Sequence, residues 1–129
     1  MKKNYFENEF AEFWIEDEIL FFNYKKDINL NLATVKRVVA DRIKVQEGLS
    51  YPVICDARGL KEADKEARDF LAKEGSELVI AVAIITGSPL TRFLFNFYVT
   101  INKPLTPTKM FMDQDQALSY LQEYKAQAV

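Results

Sequence analysis

Tyr51-Pro52-Val53-Ile54-Cys55-Asp56-Ala57-Arg58-Gly59 is a short apolar run that stops abruptly at an aspartate and a glycine turn. It reads as a buried parallel strand delivering Asp56 to the carboxyl end of a sheet, where open α/β folds place ligand or regulatory sites. A second run, Val79 to Thr86, is apolar on both alternating sides. That is the pattern of a central strand covered from both faces, and it runs directly into Gly87-Ser88-Pro89.

Helices alternate with these strands. Asn29 or Asn31 can cap a helix carrying Leu32, Val35, Val39 and Ile43 on one face, with Gly48 as its stop. From Asp64 a second helix turns Ala67, Phe70 and Leu71 inward and ends at Gly75. Ser88 as N-cap with Pro89 in the first helical position starts a third, which Asn102-Lys103-Pro104 breaks. A short strand at Met110 to Met112 follows, and Asp113 with Gln116 resembles a capping box for a last helix through Leu118 and Leu121. Before all of these, Phe10 to Ile15 and Ile19 to Tyr24 are aromatic and branched runs split by Glu16-Asp17-Glu18, an opening hairpin. The order is ββαβαβαβα: an α/β domain with a mainly parallel five-stranded sheet and a leading antiparallel hairpin strand at one edge.

At 129 residues the chain accommodates one domain, residues 1–129, with a core large enough to need no staples. A net charge of -2 leaves no electrostatic footprint for a nucleic-acid backbone. No window reaches membrane-spanning length and the N-terminus turns acidic before any apolar run develops, which suggests a cytoplasmic protein. Histidine is absent, which removes imidazole proton shuttles, Ser-His and Cys-His nucleophiles and most zinc sites. Cys55, the single cysteine, lies within the apolar strand and reads as an inert packing residue. No cofactor is expected.

The element order, with Asp56 and Gly59 forming D-x-x-G at a strand end and Asp64 opening the next helix, resembles the STAS fold of SpoIIAA-like anti-sigma-factor antagonists and sulfate-transporter tails. In that family D-S-S-G opens the helix and its second serine is phosphorylated. Here Lys65, Glu66 and Ala67 depart from the motif, and no hydroxyl side chain occurs from Cys55 through Gly75. Phosphorylation is therefore not carried over, and Glu66 supplies either a fixed negative charge or an ordinary helix-start acid. The resemblance implies a non-catalytic regulatory or binding domain, and some small relatives are suspected of associating with lipids or membrane surfaces.

The third helix, Leu90 to Ile101, is apolar nearly all round. Leu90, Leu94, Phe97 and Ile101 would suffice to face a sheet, leaving Phe93, Phe95, Tyr98 and Val99 to be covered by the C-terminal helix and the loop at Pro104 to Pro107, a second subunit, a greasy ligand or a membrane interface. The expected working surfaces are thus two. One is a polar edge of Asp56, Arg58, Gly59, Asp64 and Glu66, with Thr86 and Ser88 on the neighbouring loop; the other is the apolar helix.

Function follows as binding, to a protein partner, to itself as a homodimer, or to a lipid-like amphiphile. The competing reading is a small metal-assisted hydrolase or phosphoryl-handling enzyme built on Asp56, Asp64 and Glu66. A phospho-receiver imitation by Asp56, Thr86 and Lys103-Pro104 fails on order, since that lysine precedes the last strand.

Overall fold

The two apolar runs at the centre of the sequence, β5 (Tyr51–Asp56) and β7 (Val79–Ile85), lie side by side in parallel, with Ile54 opposite Ala83 and Asp56 opposite Ile85. The computed structural model describes residues 2–125, apart from the side chains of Leu94 and Phe97. β3 (Ile19–Tyr24) joins β5, and β8 (Thr108–Phe111) joins β7, both in parallel. β2 (Ala11–Glu16) and β1 (Lys3–Glu7) extend the β3 side antiparallel, giving one six-stranded sheet in the order β1-β2-β3-β5-β7-β8. The mainly parallel α/β architecture with an antiparallel hairpin at its edge is therefore the one the sequence implies.

Two additions have weak sequence signals. β1 is exposed along its whole length and shows no alternation; it is held by pairing and by a ring ladder in which Tyr5 stacks on Trp14 at 6.2 Å and Trp14 on Phe21 at 5.2 Å. β4 (Ile28–Leu30) and β6 (Leu60–Ala63) form a separate two-stranded parallel ladder above the strand ends.

Helix starts follow their caps. The Asn31 side chain accepts the Thr34 N–H at 2.9 Å and opens α1 (Leu32–Gln46), which Glu47 closes in the left-handed region at φ 49. Asp64 accepts the Ala67 N–H at 2.9 Å at the head of α2 (Lys65–Lys73). Ser88 accepts the Thr91 N–H at 3.1 Å before α3 (Pro89–Phe97), and Asp113 accepts the Asp115 N–H at 2.6 Å before α4 (Gln114–Lys125).

The faces of the sheet differ. On one, α4 lays Ala117 and Leu121 against Ile54, Ala83 and Ile85, and the small Ala81 and Ala83 side chains let the helix approach closely. Ala81, Ala83, Ala117 and Leu121 are all 0% exposed. On the other, α1 packs Val38 and Val45 over Phe13, Leu20, Phe22 and Val53, and α2 packs Ala67 against Val35 and Val39.

α3 corrects two expectations. Leu90 and Ile101, assigned to the inward stripe, are 69% and 59% exposed, while Thr91, Phe95 and Tyr98 face inward at helical spacing. The stripe's other members, Leu94 and Phe97, fall outside the described side chains. A π-helical turn, Tyr98–Asn102, follows α3 and adds a residue to the turn, which rotates Ile101 away from the face that an unbroken α-helix would give it. Nor does the C-terminal helix cover the apolar surplus, because α4 lies across the opposite face of the sheet.

Candidate functional site

The polar edge is built at the carboxyl end of β5. Arg58 folds back on Asp56, donating from Nε to Oδ1 at 2.9 Å and from Nη2 to Oδ2 at 2.6 Å, and its backbone N–H reaches the same carboxylate at 3.1 Å. Burial alone would raise the Asp56 carboxyl, but these hydrogen bonds outweigh it and hold the group below its usual range. Glycine is required beside the pair: a Cβ on Gly59 would lie 2.3 Å from the Lys25 carbonyl oxygen, and one on Gly87 would lie 2.9 Å from Cγ of Arg58.

The other residues of the edge scatter. Asp64 spends its carboxylate on the α2 cap, and Glu66 points to solvent in that helix's first turn. Thr86 is 1% exposed and donates its N–H to the Phe111 carbonyl at 2.9 Å, continuing the β7–β8 ladder. Ser88 is absorbed by the α3 cap. Asp56, Arg58 and the Gly87-Ser88 turn thus meet, whereas Asp64 and Glu66 serve α2. Among the described residues no three Cys, Asp or Glu side chains gather as a metal site.

The larger feature lies under α3. Phe95 and Tyr98 stand off from the sheet, and between them, α1, α2 and the strands opens a cavity of about 540 Å³. Phe22, Val53, Val82 and Ile84 form its sheet wall, Val39 and Leu71 its helical wall. Its exposed wall residues, Lys61, Glu62, Asp64 and Phe93, mark a mouth between β6 and α3. The far end of α3 is tied to α2, where Asn102 donates to Asp69 at 2.6 Å and the Leu105 N–H reaches the Ala72 carbonyl at 3.0 Å. Of the apolar helix residues, Phe95 and Tyr98 line the cavity, Val99 is half-buried, and Phe93 is 64% exposed at the rim.

Polar side chains on this cavity include Arg68, Ser76 and Thr108, and four others, Tyr24, Arg42, Cys55 and Tyr98, lie close enough together to sense each other's charge. Burial pushes the phenol of Tyr24 well above its ordinary range, with Cys55 and Tyr98 adding to the effect and Arg42 opposing it. Burial likewise raises Tyr98, and then the neighbouring Cys55 does so further. Cys55, half-buried on β5, has its own thiol pushed far up by burial, which keeps it protonated and agrees with an inert packing role. Arg42 is 3% exposed, and burial brings it down to about 10, so it stays charged at neutral pH. The sequence reading missed Tyr24 and Arg42. A signal was available for Arg42, which stands three and four residues beyond Val39 and Val38 on the buried side of α1.

An open α/β sheet of this strand order, with its helices split between two faces, has the SpoIIAA-like fold. The structure is similar to that of an uncharacterised DUF3478-family protein with a SpoIIAA-like fold from Shewanella loihica PV-4, at a TM-score of 0.62 and 15% identity over 90% of this chain and 98% of that one. That likeness concerns the fold alone. The chain belongs to the family described as Domain of unknown function (DUF7793), which matches residues 13–125. No curated protein matches it. Among the described residues no helix is long and apolar enough to cross a membrane.

Proposed function

We propose that this chain is a non-catalytic binding domain that holds a lipid-like amphiphile in the cavity beneath α3. The observation that carries the reading is the cavity itself, about 540 Å³ in size and walled by Phe22, Val53, Val82, Ile84, Phe95 and Leu71. That volume lies within the roughly 300 to 1,000 Å³ of ordinary ligand pockets, and a mostly apolar wall with few convergent polar groups is their usual make-up. Each methylene transferred into it contributes about 0.8 kcal/mol. Ten would supply about 8 kcal/mol before the cost of ordering the chain, enough for useful affinity.

The acidic edge supports the same choice over metal-assisted hydrolysis. Asp56 is neutralised by Arg58, and Asp64 is spent on a helix cap, so the carboxylates that chemistry would need do not converge. The apolar surface around α3 favours a second contact, with a membrane surface or another copy of the chain, because Leu90 on the helix, Phe93 at the cavity rim, Ile101 in the π turn and Leu105 beyond it are all exposed.

Saturable uptake of the neutral dye Nile red, one site per chain, tests the cavity. The expected result is uptake that is lost in Val82→Phe, where the added ring occupies the cavity, with the circular dichroism spectrum unchanged. Uptake that is absent from the native protein, or indifferent to Val82→Phe, would overturn the reading.

A further inference from the structure

Two arginines of this chain can be compared directly. Arg58 uses the side-on fork of its guanidinium, Nε with Nη2, to grip both oxygens of the Asp56 carboxylate. Arg42, on the cavity wall, is far more buried and grips no carboxylate among the described residues. Its Nη1 donates to the Gln46 side-chain oxygen and to the Glu77 carbonyl at 3.0 Å, and its Nη2 donates to the Gly75 carbonyl at 3.2 Å. All three acceptors are neutral. The Glu77 carboxylate acts on it only through space. A guanidinium has five N–H donors, so Nε and one Nη2 hydrogen are left with no acceptor among the described residues.

Tyr24 and Tyr98 line the same cavity, both half-buried, and neither hydroxyl makes a hydrogen bond among the described residues. Neither hydroxyl is sealed away from solvent, so both are open to the cavity. A buried cation with two open donors beside two accessible hydroxyls on one mostly apolar cavity is complementary to a small planar anion carried on an apolar chain.

We infer that the ligand is a single-chain carboxylate, a free fatty acid, whose head is held by Arg42 and the hydroxyls of Tyr24 and Tyr98. This rests on the cavity reading above and specifies its polar end. A carboxylate presents two oxygens to the two donors that Arg42 leaves open, whereas a phosphate monoester brings nearly two negative charges into a mostly apolar cavity and costs more to desolvate. A neutral head leaves the fork unfilled, which is how a buried polar group comes to discriminate between ligands of equal apolar length.

Displacement of Nile red by dodecanoate, methyl dodecanoate and dodecyl phosphate, all kept monomeric near neutral pH, tests the inference. Dodecanoate is expected to bind about tenfold or more tightly than either competitor. Tyr24→Phe and Tyr98→Phe are each expected to weaken dodecanoate about three- to tenfold while leaving Nile red uptake unchanged. Arg42→Lys keeps the charge and loses the fork, and is expected to narrow the preference for dodecanoate over its methyl ester. Because Arg42 also ties the α2–β7 connection to α1, the two tyrosine variants carry the test if that variant does not fold. Equal binding of acid and ester, tighter binding of the phosphate, or unchanged dodecanoate affinity in both tyrosine variants would overturn the inference with the cavity reading intact. Loss of Nile red uptake by the native protein would instead remove the cavity reading itself.

Discussion

Ile84 and Ile85 are neighbours in β7, almost equally buried, and belong to different structures. Ile85 points to the α4 face, where Ala81, Ala83 and Leu121 close against it, while Ile84 points into the cavity under α3. One sheet therefore carries a finished core on one side and a ligand-sized space on the other. The difference lies in the helices. α4 offers a narrow stripe of Ala117 and Leu121 that small strand residues accept at close range. α3 instead sets large rings, Phe95 and Tyr98, toward the sheet and has its far end anchored to α2, so it spans the sheet without settling on it.

The sharpest way to break this comparison is to truncate both isoleucines. Ile85→Ala is expected to cost about 2 to 5 kcal/mol by urea denaturation, the range for a truncation in a packed core. Ile84→Ala is expected to cost at least about 1 kcal/mol less, because its side chain borders open space and forfeits fewer contacts. Equal losses would mean that the cavity is closed in solution.

Enlarging neighbouring side chains should reverse the pattern. Ala83→Phe overpacks the α4 face and is expected to destabilise by about 1 to 3 kcal/mol or more. Val82→Phe, one residue earlier and facing the cavity, is expected to stay within about 1 kcal/mol of the native protein, measured in the same way.

The smallest effect belongs outside. Leu90→Ser on the outer face of α3 is expected to change stability by no more than about 0.5 kcal/mol, since that side chain is 69% exposed. If the outer face is a contact surface, the same change lowers self-association in sedimentation or cosedimentation with vesicles. Unchanged behaviour in both would confine the work of α3 to its inner face.

The parallel centre was legible in the sequence because Val79 to Ile85 is apolar on both alternations, and the helix starts because Asn31, Asp64, Ser88-Pro89 and Asp113 are chemically specific caps. The all-round apolarity of α3 showed that something must cover it. Which side it turned inward was not legible, since Leu90, Phe93 and Phe95 are alike in hydropathy and the π turn at Tyr98–Asn102 alters the spacing that pattern reading assumes. The sequence put Asp56 at the end of its strand, as the fold does, yet its pairing with Arg58 depends on a turn whose geometry only the fold fixes. Arg42 escaped notice because a charged residue on a helix is ordinarily solvated, and its burial arises from contacts with residues 33 and 35 positions away.

Native mass spectrometry of the protein isolated gently from its expression host tests the central claim most directly. The account expects about one equivalent of a single-chain amphiphile per chain, released on denaturation and missing from Val82→Phe. A native protein that carries none, and takes up none when offered Nile red or dodecanoate, would contradict it.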